Sequence, residues 1–252
     1  MTELNSQEFN DKLTYRLPYH LTSRDTDMFS RLSLGFLVNM FVQSAMSANA
    51  TIGFGFDDIR KQNLFWLFSR LTVEFDKTHL WRESGEVLTW IKCNEKFIYL
   101  RDFLVLDESK NVVAKATSNW VPVDLIAKRP KMVGGLDERY FVSNKEALSY
   151  APEKLFPLKD PDETFERKAV FFDMDLNRHV SSYRYADWMM DTFPLDFHEN
   201  HYPKKVSINF LNESNAGENL MITKKRSSQT SHMFEGLNES LNSNTFRAII
   251  YF

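Results

Sequence analysis

The sequence predicts an α+β protein made of two tandem copies of one unit, each a long helix wrapped by an antiparallel sheet. Three internal matches carry that prediction. RDTDMFSRLSLGFL (24–37) lies without gaps over FDMDLNRHVSSYRY (172–185), which sets Asp25 on Asp173, Asp27 on Asp175, Leu32 on Val180 and Ser33 on Ser181. LTVEFDK (71–77) matches VSINFLN (206–212) in alternation and length. A Gly-Glu pair follows in each copy, Gly85-Glu86 and Gly217-Glu218. Any one match is weak, but three in the same order imply a duplicated unit.

The first unit opens on a short strand in LTYRLPYHL, followed by the acidic loop. The helix after it lies in LSLGFLVNMFVQSAMSANA, where Phe36, Met40 and Phe41 recur at helical spacing. Alternation and β-branched or aromatic content then mark strands in NLFWLFSRLTVEF, GEVLTWIKC, FIYLRDFLVLD and VVAKATSNWVPVD. The second unit repeats the order. A strand in ETFERKAVFF precedes the loop, and the helix in VSSYRYADWMMDTF carries Tyr185, Trp188 and Met189 at the same spacing. Its strands are KKVSINFLN, NLMITKKR, SHMFEGLNE and TFRAIIYF. Between the units, a stretch rich in Pro, Gly and charge reads as a linker or covering segment. The expected division is 1–128, a linker at 129–163, and 164–252. A sheet of this kind leaves one edge or face open, and pairing two units would cover it.

Composition bounds the function. With 252 residues, 43% hydrophobic and 26% charged, the chain reads as globular. The 14% aromatic share, with 22 Phe, points to a large apolar interior or an apolar ligand cavity. A net charge of -3 argues against a nucleic-acid partner. Cys93 stands alone, which excludes an intrachain disulfide framework and a multi-cysteine zinc site. The start, MTELNSQEFNDK, lacks a basic n-region and an apolar h-region, and no apolar run approaches the roughly 18 residues of a membrane span. A cytosolic protein is expected.

The copies act as controls for each other. Both keep the aspartates, as expected of groups that satisfy the free N–H groups of a helix's first turn. Asn177 and His179 occur only in the second copy, where the first has Phe29 and Arg31. Glu213 and Ser214 likewise face Thr78 and His79. Taken alone, Asp175, Asn177 and His179 fit either a capped helix on a solvated loop or an active site. The chemistry they would support is specific. A helix N-terminus and Asn177 can hold a carbonyl oxygen that gains charge, His179 can exchange a proton near neutral pH, and Glu213 can activate water. That combination describes hydrolysis of an activated acyl compound.

At this point the chain resembles the acyl-ACP thioesterases of plant plastids and bacteria. The second copy has their D-L-D-x-N-x-H-V-N-N signature as DMDLNRHVSS, followed by YRYADWMMD. The first has NLFWLFSRLTVEFDK for N-L-x-W-x-x-x-R, with LWRESGEVLTWI, the Arg-Asp of YLRDFLVLD, and ATSNWVPVDLIAKRP near A-S-S-x-W-V. The likeness covers roughly residues 10–252, in order.

The resemblance implies two tandem hot-dog domains, the first for the acyl chain and the second catalytic. By position it makes Asp175, Asn177 and His179 the catalytic trio and Glu213 the strand glutamate. Ser214 stands where plant members often have Cys, so a Cys nucleophile is not expected. Water attack is, with Glu213 activating the water and Asn177 and His179 holding the water or the carbonyl. Asp175 would orient Asn177, Asp173 would cap, and Ser214 would at most support the site. No cofactor and no metal is implied.

The implied partner is acyl carrier protein bearing a fatty acyl phosphopantetheine, with no membrane partner, on a monomeric pseudo-dimer or a homodimer. Carrier proteins are acidic, so a basic surface should receive them. The candidates are Arg178, Lys204, Lys205, Lys224, Lys225 and Arg226, with Arg167, Lys168, Lys128, Arg129 and Lys131. Met40, Phe41 and Met46 are candidates for the acyl tunnel, against the alternative that they are ordinary core. The rival readings are an acyl-CoA thioesterase of the same fold and a non-catalytic acyl-chain binder. A metal site at HENH (198–201) is weak, because two histidines lack a plausible third ligand.

Overall fold

The computed structural model describes residues 12–252, and it is one ten-stranded antiparallel sheet with the two long helices packed on each other. The first unit supplies β1 (Tyr15–His20), α1 (Leu34–Thr51), α2 (Phe56–Arg60), β2 (Leu64–Phe75), β3 (Ser84–Glu95), β4 (Ile98–Asp107) and β5 (Val112–Asp124). The second supplies β6 (Glu163–Lys168), α3 (Ser182–Met190), α4 (Leu195–Asn200), β7 (Lys205–Phe210), β8 (Asn219–Arg226), β9 (Ser231–Asn238) and β10 (Ser243–Tyr251). The strand order is β1-β3-β4-β5-β2-β7-β10-β9-β8-β6, which reads as its own mirror about the β2–β7 junction.

That junction makes the duplication geometric. β2 and β7 are antiparallel, with Thr72 opposite Ser207, and these two residues are also equivalent in the internal alignment. A local two-fold axis therefore passes between them. Their buried hydroxyls hydrogen-bond at 3.1 Å, so the polar pair at the centre of the sheet satisfies itself. Each unit closes the other's open edge strand, as expected of paired half-barrels.

The core beneath the sheet is continuous across both units, from Leu37, Phe41 and Phe103 to Tyr185, Ile208 and Phe246. The connecting segment has no strand. It lies over the sheet, burying Val133, Leu136, Val142, Leu148 and Leu155, with Asn209 holding the carbonyl of Glu153 and the N–H of Leu155. It covers more than it links. Two short helices, α2 and α4, escaped the sequence reading because five or six residues are too few to show a period. The strand expected in ETFERKAVFF stops at Lys168, since Asp173 accepts the N–H of Val170 and turns 171–173 into a 3₁₀ turn.

The two long helices meet at Gly35, where an added Cβ would come within 1.9 Å of the Asp187 carboxylate. Only glycine lets α1 pass there. Burial pushes the Asp187 carboxyl up to about 6 from the usual 3.8, against the pull of Arg184 at 3.3 Å. A raised carboxyl stabilises the fold fully below its unfolded pKa, and that contribution is lost as pH rises through the folded one. Between pH 4 and 7 the protein should therefore lose up to about 3 kcal/mol that an Asp187→Asn variant does not lose. Urea melts of both at several pH values measure the difference, and parallel curves would refute it.

Candidate active site

The loops before α1 and α3 fold alike because an aspartate builds each. Asp27 Oδ1 accepts the N–H groups of Phe29 and Arg31, both at 2.9 Å. Asp175 Oδ1 accepts those of Asn177 and His179 at 2.7 and 3.2 Å. Each loop then bridges the turn after its edge strand, Arg31 to Leu80 and His179 to Asn215. The acidic pair is thus scaffold in both units. Asp175 acts on Asn177 through the backbone N–H and not through the side-chain amide. Asp173 accepts the N–H of Val170 and pairs with Arg184 Nε at 3.1 Å, so it caps the 3₁₀ turn and not α3.

On identical frames the two loops present different chemistry. In the second unit the bridge at Asn215 brings His179 Nε2 within 3.2 Å of Glu213 Oε2. Asn177 Oδ1 receives Arg60 Nη2 from α2 of the first unit at 3.4 Å, which leaves its amide N–H groups free to donate. In the first unit Arg31 pairs with Asp27 at 2.8 Å, lies over the Tyr202 ring and donates to the His201 carbonyl. Tyr202 also donates to the Leu32 carbonyl at 2.8 Å. That counterpart is closed by the protein itself.

Asn177, His179 and Glu213 line a cleft of about 1090 Å³ shared by both units. α1 gives it Asn39, Val42, Gln43, Met46 and Asn49, a stripe at helical spacing. A stack of Trp120, Phe68 and Phe210, with ring centroids 4.7 and 5.0 Å apart, joins the walls of the two units. Ser182 and Tyr183, in the first turn of α3, bring the positive end of that helix to the cleft.

Of the expected tunnel residues, Met46 lines the cleft. Met40 and Phe41 do not: they sit on the face of α1 turned into the core, where Phe41 packs on Phe103 at 4.6 Å. Ser214 is fully buried behind the site, its Oγ accepting from Asn238 at 3.2 Å.

The basic candidates divide. Arg178 is exposed on the cleft rim. Lys224 is buried, donating to the Thr192 carbonyl at 2.9 Å beside Glu163 and over the Phe165 and Phe193 rings, so it is no docking group. Lys225 donates to the Lys159 carbonyl and Arg226 to those of Ser228 and Gln229. Lys205 pairs with Glu74 at 3.5 Å. Strand direction explains why Lys204, Lys205, Lys224, Lys225 and Arg226 miss the site. β7 begins at Lys205 and reaches the cleft at Phe210, and β8 runs from Asn219 to end at Arg226, roughly 23 Å further along at ~3.3 Å per residue.

His198 Nε2 donates to the Met190 carbonyl at 3.2 Å and His201 Nδ1 to that of Phe197 at 2.8 Å. Among the described residues no three His, Cys, Asp or Glu are grouped to hold a metal ion.

Arg60 was missed by sequence reasoning, because nothing local shows that a helix of the first unit reaches the loop of the second. The α1 stripe was missed because three of its five residues are polar.

Comparison with known proteins adds to this geometry. A family model described as the acyl-ACP thioesterase N-terminal domain matches residues 12–139, and one for the C-terminal domain matches 159–249. The chain is 27% identical over 217 residues to a chloroplastic palmitoyl-acyl carrier protein thioesterase of Arabidopsis thaliana, a match covering 81% of this chain and 53% of that one. It thus spans about half the length of the curated relatives it matches. An acyl-ACP thioesterase from Bacteroides thetaiotaomicron superposes with a TM-score of 0.87 at 23% identity, covering 95% of this chain and 98% of that one. A 12:0-ACP thioesterase from Umbellularia californica gives 0.85 at 21%, covering 96% and 97%. At these identities the superpositions establish the fold, two tandem hot-dog units.

Proposed function

Because this chain belongs to the acyl-ACP thioesterase family, we propose that it hydrolyses the thioester linking a fatty acyl chain to acyl carrier protein and releases the free fatty acid. The observation that carries this reading is the His179–Glu213 pair, 3.2 Å apart on the wall of a largely apolar cleft. Both units contribute to the acyl wall, and the second supplies the reacting polar groups.

In this mechanism Glu213 takes a proton from a water that docks beside the His179–Glu213 pair while the water oxygen bonds to the carbonyl carbon. The negative charge that develops on the carbonyl oxygen is met by the Asn177 amide and the first turn of α3. Collapse of the tetrahedral intermediate breaks the C–S bond, and the proton on Glu213 passes to the departing sulfur. Asp175 keeps the loop in shape throughout. No side chain becomes acylated.

The test is hydrolysis of one acyl group presented on carrier protein and on coenzyme A, followed by release of free thiol. Turnover on the carrier thioester, in preference to coenzyme A, is the expected result. Preference for coenzyme A would reassign the substrate, and no turnover on either would remove the proposal.

A further inference from the structure

We propose that Arg60, Lys128 and Arg178 form an anion subsite on the rim of the cleft, and that it takes the phosphate at the end of the substrate's pantetheine arm. The inference rests on the thioesterase reading above and adds the group by which the thiol half of the substrate is held.

The three cations come from separate elements: the end of α2, the turn after β5, and the loop before α3. All are exposed, yet all line the same cleft as His179 and Glu213. Apart from the exposed Asp57 on α2, the carboxylates around them are engaged elsewhere. Lys61 holds Asp58 at 3.1 Å, Lys131 holds Asp124 at 3.6 Å, His179 holds Glu213, and two backbone N–H groups hold Asp175. Arg60 lies over the Phe56 ring at 4.3 Å and touches the neutral Asn177 Oδ1. Lys128 lies over the Phe65 ring at 5.5 Å. Among the described residues, none of the three is paired with a carboxylate within 4.0 Å. In a chain of net charge -3, such a concentration beside an apolar cleft is a local feature and not a general excess of base.

Backbone geometry does not explain these residues. Lys128 and Arg178 have φ of 52° and 68°, in the left-handed region where glycine or asparagine is cheapest. The first unit's counterpart of Arg178 is Ser30, with the same turn at φ 62° and no charge. The turn therefore does not need a cation, and the unit with the closed counterpart does not have one there. A dianionic or monoanionic phosphate is the ligand that three separately mounted cations without a carboxylate partner, all on one cleft, fit.

Both carrier-protein and coenzyme A thioesters bring such a phosphate, so the experiment uses four forms of one acyl thioester: pantetheine, 4′-phosphopantetheine, coenzyme A and carrier protein. The variants are Lys128→Asn and Arg178→Asn, singly and together, since asparagine keeps the left-handed turns. Arg60 touches the catalytic loop and is left intact. The readout is the ratio of kcat/KM on each phosphate-bearing substrate to that on acyl-pantetheine. Each substitution is expected to lower the ratio about fivefold, and both together about twentyfold, on all three phosphate-bearing forms. A second measurement, competition by free 4′-phosphopantetheine, should weaken in parallel.

An unchanged ratio overturns the subsite. So does a fall seen with carrier protein alone, which would put the cations against the carrier's surface. If the unaltered enzyme cleaves none of the four thioesters, the thioesterase reading itself falls and the subsite goes with it.

Discussion

His179→Ala and Glu213→Gln are each expected to lower kcat on an acyl thioester by at least about 100-fold, the scale of a lost general acid or base. KM should change little, since neither side chain belongs to the acyl wall. The two stand 3.2 Å apart and act on the same water, His179 by positioning it and Glu213 by taking its proton, so the double variant should be scarcely worse than either single one. Loss of activity through unfolding is answered inside the molecule. The first unit builds the same loop with Arg31 and Thr78 at the equivalent places, so the frame does not depend on His or Glu. Asp175→Asn separates scaffold from chemistry. An amide oxygen can still accept the two N–H groups, and this variant should keep most of its activity, whereas a carboxylate taking part in proton transfer could not be replaced. Stopped-time thiol release on all four proteins, with melting curves to check folding, decides the matter. Retention of more than half the activity by His179→Ala would remove the site.

Much of this arrangement was legible because the chain contains its own comparison. Alignment of LTVEFDK on VSINFLN anticipates the register of β2 on β7, since residues equivalent by duplication must lie opposite each other across a two-fold axis. Alignment of 24–37 on 172–185 isolates Asn177 and His179, and one further step beyond VSINFLN isolates Glu213, where the first copy has Phe29, Arg31 and Thr78. Contacts between units were not legible. Arg60 and Asn177 are 117 positions apart, and no period or spacing joins them. The basic runs misled for a related reason. Lys224 reads as a solvated strand end, but β8 continues beneath Phe193 and Thr192, whose carbonyl takes its ammonium. Helix faces failed more simply. Apolar residues were assigned to the tunnel, while the core claimed Met40 and Phe41 and left the cleft a mixed stripe.

Asn49→Ala should destabilise the fold by about 3 kcal/mol, read as a lower urea midpoint, because it strands a buried cation. Arg101 is fully enclosed, and burial draws its guanidinium down to about 9. Its neighbour Asp102 cannot serve it. Successive strand residues face opposite ways, and Asp102 is taken by Thr117 and the N–H of Ala147 on the other face. What Arg101 has is neutral: the Asn49 amide oxygen and, at 3.2 Å, Thr89 Oγ1. Asn49 lies in the last turn of α1, so the carbonyl end of that helix also faces the cation and offsets part of its desolvation. Asn49→Asp should therefore keep most of the stability, since it returns an acceptor and adds a charge of opposite sign. If alanine proves as stable as asparagine, the guanidinium is satisfied by other means and this account of it is wrong. The substitution also bears on substrate choice. Asn49 is the last of the α1 residues on the cleft and one of its buried wall residues. Removing its amide turns the end of the cleft towards an unpaired guanidinium, so the alanine variant should gain no activity on longer acyl chains: the roughly 0.8 kcal/mol of each added methylene is outweighed by the charge it would bury.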